Sequence, residues 1–242
     1  MGMFYDFVYK FGYLILGVLS LLVWGALFAR KKSLRREMLV LSVVAAVFGP
    51  LSEYWYFKDY WQPHILVQFP VGGFEDLIFG FAIGGIAAVI YEVVFVNWIC
   101  FCEKKKLKKE WFLLVFGLIL AGVLIGLNTF LGVNSIYASS LGMIIAGAVM
   151  LLFRPDLWLN AVGSGVLVAL VMFVIYIIPL SLFTEVHQVL AQIWKLYGTS
   201  QGILLFGHVP LTEIVWGFSW GFVGGPIYEF VVGARTLTLR KR

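Results

Sequence analysis

Apolar residues run almost unbroken over 9–29, 38–57, 74–102, 111–127, 135–153, 157–184 and 209–233, and short polar stretches separate these runs. A bilayer core of ~30 Å is crossed by ~20 helical residues, so each run predicts a transmembrane helix and the chain predicts seven. The fold class expected is an all-α polytopic membrane bundle.

Polar residues inside the runs follow a second pattern. Asp76-Leu-Ile-Phe-Gly80-Phe81-Ala-Ile-Gly84, followed by Ile90-Tyr91-Glu92, recurs 137 positions later as Glu213-Ile-Val-Trp-Gly217-Phe218-Ser-Trp-Gly221, followed by Ile227-Tyr228-Glu229. Pro50-Leu51-Ser52 recurs as Pro179-Leu180-Ser181. Helices 2 and 3 are thereby paired with helices 6 and 7, helix 5 with helix 1, and helix 4 is an unmatched connector. The organisation expected is a three-helix repeat over 1–103, a basic loop and connector over 104–133, and a second repeat over 134–242. An odd connector inserts both copies the same way up, which gives parallel repeats with sites between the halves. Gly80, Gly84 and Ala88, and Gly217, Gly221 and Gly225, are small residues at four-residue spacing, which predicts close packing of helices 3 and 7 at the centre.

Composition supports the membrane reading: 62% of residues are hydrophobic and 13% charged. The cations supply an orientation. Arg30, Lys31, Lys32, Arg35 and Arg36 lie in the first loop, Lys104, Lys105, Lys106, Lys108 and Lys109 in the third, Arg154 in the fifth, and Arg235, Arg240, Lys241 and Arg242 in the tail. Only Lys10, Lys58 and Lys195 fall on the other side, so the amino terminus is expected outside and the carboxyl terminus in the cytoplasm of a cell membrane. The net charge of +5 then reflects topology and anionic lipid, and no nucleic acid partner is expected. Helix 1 is read as retained, and no myristoylation signal follows Gly2. Cys100 and Cys102, expected at the cytoplasmic end of helix 3, are read as reduced thiols. Nothing matches a nucleotide-binding loop, the histidines His64, His187 and His208 lack ligand spacing, and no metal or other cofactor is expected. Helix 7 has no lysine, which excludes a retinal Schiff base.

Acids within membrane helices are costly, at ~2.5–3.5 kcal/mol on insertion scales, and they mark function. Glu53, Glu75, Asp76 and Glu213 are expected at similar depth, where they can converge. Capping of helices 3 and 7 offers a plainer explanation for Asp76 and Glu213, though not for Glu53, which sits late in its helix. Glu92 and Glu229, sixteen residues further along, are expected at the other boundary, meeting headgroup water, Arg154 or Arg235 in a structural ion-pair or interfacial role. Aromatics crowd the first set: Trp55 with the rest of 54–61, Phe79, Phe81, Trp216, Phe218 and Trp220. Part of this is an interfacial belt. Trp216 and Trp220, one turn apart and running inward from Glu213, suit an apolar substrate that becomes cationic, since π faces attract positive charge.

On these motifs the chain resembles the lycopene cyclase domain family, the membrane-integral type whose members carry two three-helix units, each with a Pro-x-acid-acid motif running into aromatics. Phe74-Glu75-Asp76-Leu-Ile-Phe79 is similar to the first copy and Pro210-Leu211-Thr212-Glu213-Ile-Val-Trp216 to the second. Pro70 is displaced from the first motif, and Thr212 stands where the second motif has an acid. The resemblance implies a lycopene β-cyclase-like isomerase of carotenoid biosynthesis: a carboxylic acid protonates the terminal double bond of an acyclic carotenoid, the ring closes on the cation and a base removes a proton. It implies Glu213 or Asp76 as the acid, Glu53 or Glu75 as the base or its orienting partner, and Trp216, Trp220 and Phe79 as cation stabilisers. The partners implied are a lipid-soluble polyene or other isoprenoid and membrane lipids, and homo-oligomerisation stays open. A catalytically silent isoprenoid- or pigment-binding protein is the alternative, as is a small-solute transporter with the same repeat plan, although the midplane around Gly84 and Gly221 offers few groups to hold a sugar.

Overall fold

The computed structural model describes residues 2–95, 98–100, 109–233 and 235–237. Among these residues eight α-helices occur: α1 Met3–Arg30, α2 Arg35–Asp59, α3 Phe74–Phe95, α4 Lys109–Ile125, α5 Ser135–Phe153, α6 Trp158–Leu182, α7 Thr184–Ile193 and α8 Leu211–Val232. Seven overlap the apolar runs; α7 is additional. The strands are two or three residues each: β1 Trp98–Cys100, β2 Leu204–Leu205, β3 Val209–Pro210 and β4 Arg235–Leu237, with β1 antiparallel to β4 and β2 to β3. The third run was expected to stay helical to 102 and does not. α3 ends at Phe95, after β-branched Val93 and Val94, and Cys100 lies in a strand rather than on a helix. Cys102 and Lys104–Lys108 lie outside the described residues.

Polarity is arranged inside out. The bundle exposes Val43, Val47 and Phe48 of α2 and Leu170, Val174 and Ile178 of α6, and it buries Ser20, Ser42, Ser164 and Ser219 with six glutamates and an aspartate. Among the described residues, five helices, including α1, α3 and α5, are long and apolar enough to cross a membrane by length and composition. Such a surface is stable against lipid, whereas water would meet a continuous apolar patch.

Packing follows the glycines. α3 lies along α2 and α8 along α6; α1 packs on α3, and α5 on α8. A Cβ at Gly80 would strike the carbonyl of Ala45 at 2.6 Å, and one at Gly84 that of Leu41 at 2.8 Å, so this stripe seats α3 on α2. Gly217 and Gly221 seat α8 on α6 in the same way, against Met172 and Ser164. The expectation that both stripes join the third and seventh helices is therefore corrected. α3 and α8 do touch, but through other residues: Gly224 faces Ala87, and Trp220 Nε1 donates to the Ile83 carbonyl at 3.3 Å.

α2 and α6 are both 25 residues long, and each follows a three-residue 3-10 turn, Lys32–Leu34 and Pro155–Leu157. α3 and α8 are both 22 residues long. With the helices matched end to end, Pro50 lies six positions nearer its helix start than Pro179, so the repeated Pro-Leu-Ser triplets do not occupy equivalent heights. Asp59 at the end of α2 holds the far end of the connector and the start of α5. Its Oδ2 accepts from Asn128 Nδ2 at 2.6 Å and from Ser135 N at 3.0 Å. Asn134 caps α5 by accepting from Ile136 N at 3.1 Å. α7 lies on α1, and Trp61 and Trp194 form a short backbone bridge there, with Gln62 N donating to the Ile193 carbonyl at 2.7 Å. His187 Nε2 and His208 Nδ1, 2.8 Å apart, tie α7 to the turn between β2 and β3.

Candidate active site

Asp76 occupies the third position of α3, where a side chain can reach back to the N–H that precedes the helix. It does so: Oδ2 accepts from Gly73 N at 2.6 Å. The loop can close over the carboxylate because Gly72, at φ +68°, has no Cβ; one placed there would meet Asp76 Oδ2 at 2.7 Å. The other oxygen, Oδ1, accepts from the hydroxyl of Tyr13 on α1. Gly49, ahead of Pro50 in α2, lets the Asp76 backbone come close, since a Cβ there would lie 2.7 Å from its carbonyl.

Glu213 is the third residue of α8, yet it is not a cap. The position that would offer it an N–H is Pro210, which has none, and that helix start has no side-chain capping bond. Its carboxyl turns into the protein instead. Tyr60 donates to Oε1, Tyr60 Oη and Thr212 Oγ1 are hydrogen-bonded at 3.0 Å, and Tyr176 of α6 bonds to the same carboxyl. Thr212 thus serves the hydroxyl that holds Glu213.

Glu53 is also buried, at 5% exposure, and accepts from Trp61 Nε1 at 3.0 Å through Oε2. It lies within electrostatic reach of both Asp76 and Glu213. The structure therefore brings Glu53, Asp76 and Glu213 together. Glu75 faces another way: its Oε1 accepts from Leu66 N at 2.8 Å, which organises the loop between α2 and α3.

An apolar cavity of about 240 Å³ opens between α1, α6 and α7 beside this cluster. Phe4, Phe7 and Phe183, which line it, are exposed on the bundle surface, while Tyr13, Trp61, Tyr176, Trp194 and Glu213 are the lining side chains with polar atoms. Two of these are the hydrogen-bond partners of Asp76 and Glu53, so all three acids reach the cavity directly or through one side chain.

Aromatic rings continue away from the acids. Phe79 lies 6.4 Å from Tyr13 and 6.2 Å from Trp216, and Trp216 stacks on Trp220 at 6.1 Å with 5° between planes. Trp216 Nε1 donates to Tyr56 Oη at 3.1 Å, and Tyr56 donates to Ser139 at 2.9 Å. Three other expected aromatics sit elsewhere. Phe81 packs on Trp24 at 5.1 Å, Phe218 stacks on Phe222 at 5.9 Å, and Trp55 meets Tyr54 edge-on at 5.1 Å.

Sequence reasoning missed Tyr13 and Tyr176 and assigned Tyr60 and Trp61 to an interfacial belt. A signal existed for the first two, each being a hydroxyl set within a long apolar run. Tyr176 is moreover the nineteenth residue of α6, as Glu53 is of α2.

Residues 134–231 match the family model described as lycopene cyclase. The match lies in the second half of the chain and covers less than half of its length. Over this stretch the chain is similar to lycopene cyclases. The matched half is the one in which Thr212 replaces an acid of the resembling motif. No curated protein and no solved structure matches the chain.

Proposed function

We propose that this chain is a membrane-embedded isomerase that closes a ring at the end of an acyclic carotenoid, with Glu213 as proton donor. One observation carries the reading: Glu213 has no capping duty at its own helix start and borders an otherwise greasy cavity. Pockets for drug-sized ligands measure ~300–1,000 Å³. A cavity of about 240 Å³ suits the terminal portion of a long molecule whose remainder stays in lipid, beyond Phe4, Phe7 and Phe183.

The proposed step is redox-neutral. Glu213 gives its proton to the terminal carbon–carbon double bond, a tertiary cation forms, and a second double bond attacks it to make the ring bond. A base then takes a proton from the carbon next to the new cation, so product and substrate are isomers. Glu53 is the preferred base, because it lies near Glu213 and is oriented by Trp61, whose ring also lines the cavity. Asp76, held by Gly73 and Tyr13, stabilises the site rather than the reaction. The rings of Tyr13, Trp61 and Tyr176, which line the cavity, face the positive charge, and Phe79, Trp216 and Trp220 continue the aromatic row beyond them.

The architecture proposed is two parallel three-helix units, α1–α3 and α5, α6, α8, joined by α4, with α7 covering α1. Equal helix lengths, matching 3-10 turns and matching pairings support it. The amino terminus is proposed to lie outside.

Expression in lycopene-accumulating bacteria tests the function: the parent chain should yield ring-closed pigment on chromatography, and Glu213→Gln should reduce conversion at least ~100-fold, the scale of a lost general acid. Unchanged lycopene alongside well-inserted parent protein overturns the enzyme reading. Recovery of tightly bound, unconverted polyene would favour a binding protein instead.

A further inference from the structure

At the end of the bundle away from the cavity, three carboxyl groups from three helices are buried together. Glu37 of α2, Glu92 of α3 and Glu229 of α8 are 5%, 0% and 1% exposed. Glu92 and Glu229 lie within hydrogen-bonding reach of each other, and Glu37 lies within electrostatic reach of both. Glu92 Oε1 accepts from Asn160 Nδ2 at 2.5 Å, and Asn160 Oδ1 accepts from Ser164 at 3.0 Å. Among the described residues, Glu37 Oε1, Glu92 Oε2 and Glu229 Oε2 have no hydrogen-bond donor.

Two cations beside the cluster donate to its main chain. Lys31 Nζ donates to the Glu92 carbonyl at 3.0 Å and Arg154 Nη1 to the Glu229 carbonyl at 3.3 Å, while Arg154 Nε pairs with Asp156 at 2.9 Å. Tyr91 is the other titratable neighbour of Glu92. Arg154 lies within electrostatic reach of Glu229, and Lys31 of Glu92, beside the contact between the two acids.

Two carboxylates that face each other offer only acceptors, and buried acceptors without donors are costly. A single proton between them turns one acid into the missing donor. We propose that Glu92 and Glu229 hold one proton in common, forming a carboxylic acid to carboxylate bridge that joins α3 to α8, with Glu37 as the third acid of this proton site. Ring closure returns every proton it uses, so the reaction has no call on this one. Its role is to let two acids of opposite halves meet. The bridge stands independently of the cyclase reading.

Infrared spectroscopy of the purified full chain tests it at neutral pH. The parent spectrum minus that of Glu92→Gln, and minus that of Glu229→Gln, should each contain a protonated-carboxyl stretch that shifts on transfer to D2O. Both variants should melt close to the parent, because a carboxamide N–H replaces the shared proton, whereas Glu229→Leu should melt several degrees lower. Loss of carboxylate bands only, or a Glu229→Gln variant as unstable as Glu229→Leu, overturns the proposal. If Glu229→Gln does not accumulate, the Glu92→Gln spectrum decides alone.

Discussion

Asp76 and Glu213 stand at the same position of two helices and have different work, and the difference comes from the residue three places earlier. Gly73 offers an N–H that occupies one oxygen of Asp76 at 2.6 Å; Pro210 offers none, and Glu213 is left to Tyr60 and Tyr176. A testable consequence is that Pro210→Ala, by restoring an N–H at the start of α8, draws Glu213 toward capping. Turnover should fall about threefold to tenfold, the worth of a competing hydrogen bond of ~1 kcal/mol, while the melting temperature holds or rises. Melting and pigment conversion measured on one preparation separate this from simple misfolding. The acids were legible in the sequence because carboxyls are conspicuous in apolar runs. Their partners were less so: the use of Tyr13, Tyr60 and Tyr176 depends on helix rotation and on contacts 37 to 153 positions apart, which spacing along one helix does not report.

Close approach of helices in this molecule rests on absent side chains. A Cβ on Gly221 would press on the Ser164 backbone, which cannot swing aside, whereas one on Gly122 of α4 meets nothing within 4 Å. Gly221→Ala should therefore cost ~1–3 kcal/mol through overpacking, and Gly122→Ala should gain up to ~1 kcal/mol from helix propensity, a difference of opposite sign that thermal unfolding in detergent reads directly. The small-residue spacing was readable as a packing face, but its partner was not. A stripe says that something comes near; only the fold says that α2 and α6, the preceding helices, are what it meets. α7 was missed for a different reason. Val186, Val189, Leu190 and Ile193 have helical spacing, and all four line the cavity, yet a ten-residue amphipathic helix is too short to appear when runs are sought at bilayer length.

At the scale of the whole molecule, the cations have a common address. Lys31, at the junction of α1 and α2, reaches the Glu92 backbone, and Arg154, at the junction of α5 and α6, reaches the Glu229 backbone, so both junctions lie at the end of the bundle that holds the acid bridge. Lys58 and Lys195 lie at the other end, beside the cavity, where Lys195 Nζ donates to the Phe57 carbonyl at 2.5 Å. Basic residues near helix ends are retained on the cytoplasmic side, at a scale of ~1 kcal/mol each near anionic lipid. The orientation proposed above would set the cavity with Glu53, Asp76 and Glu213 in the outer half of the membrane and the bridge in the inner half. An epitope fused ahead of Met3 should then be cut by protease added to intact cells, and one fused after Arg242 should be cut only after lysis. Reversal of both results would place the proposed proton donor on the cytoplasmic side and would leave five cations of the first loop outside, which the charge distribution opposes.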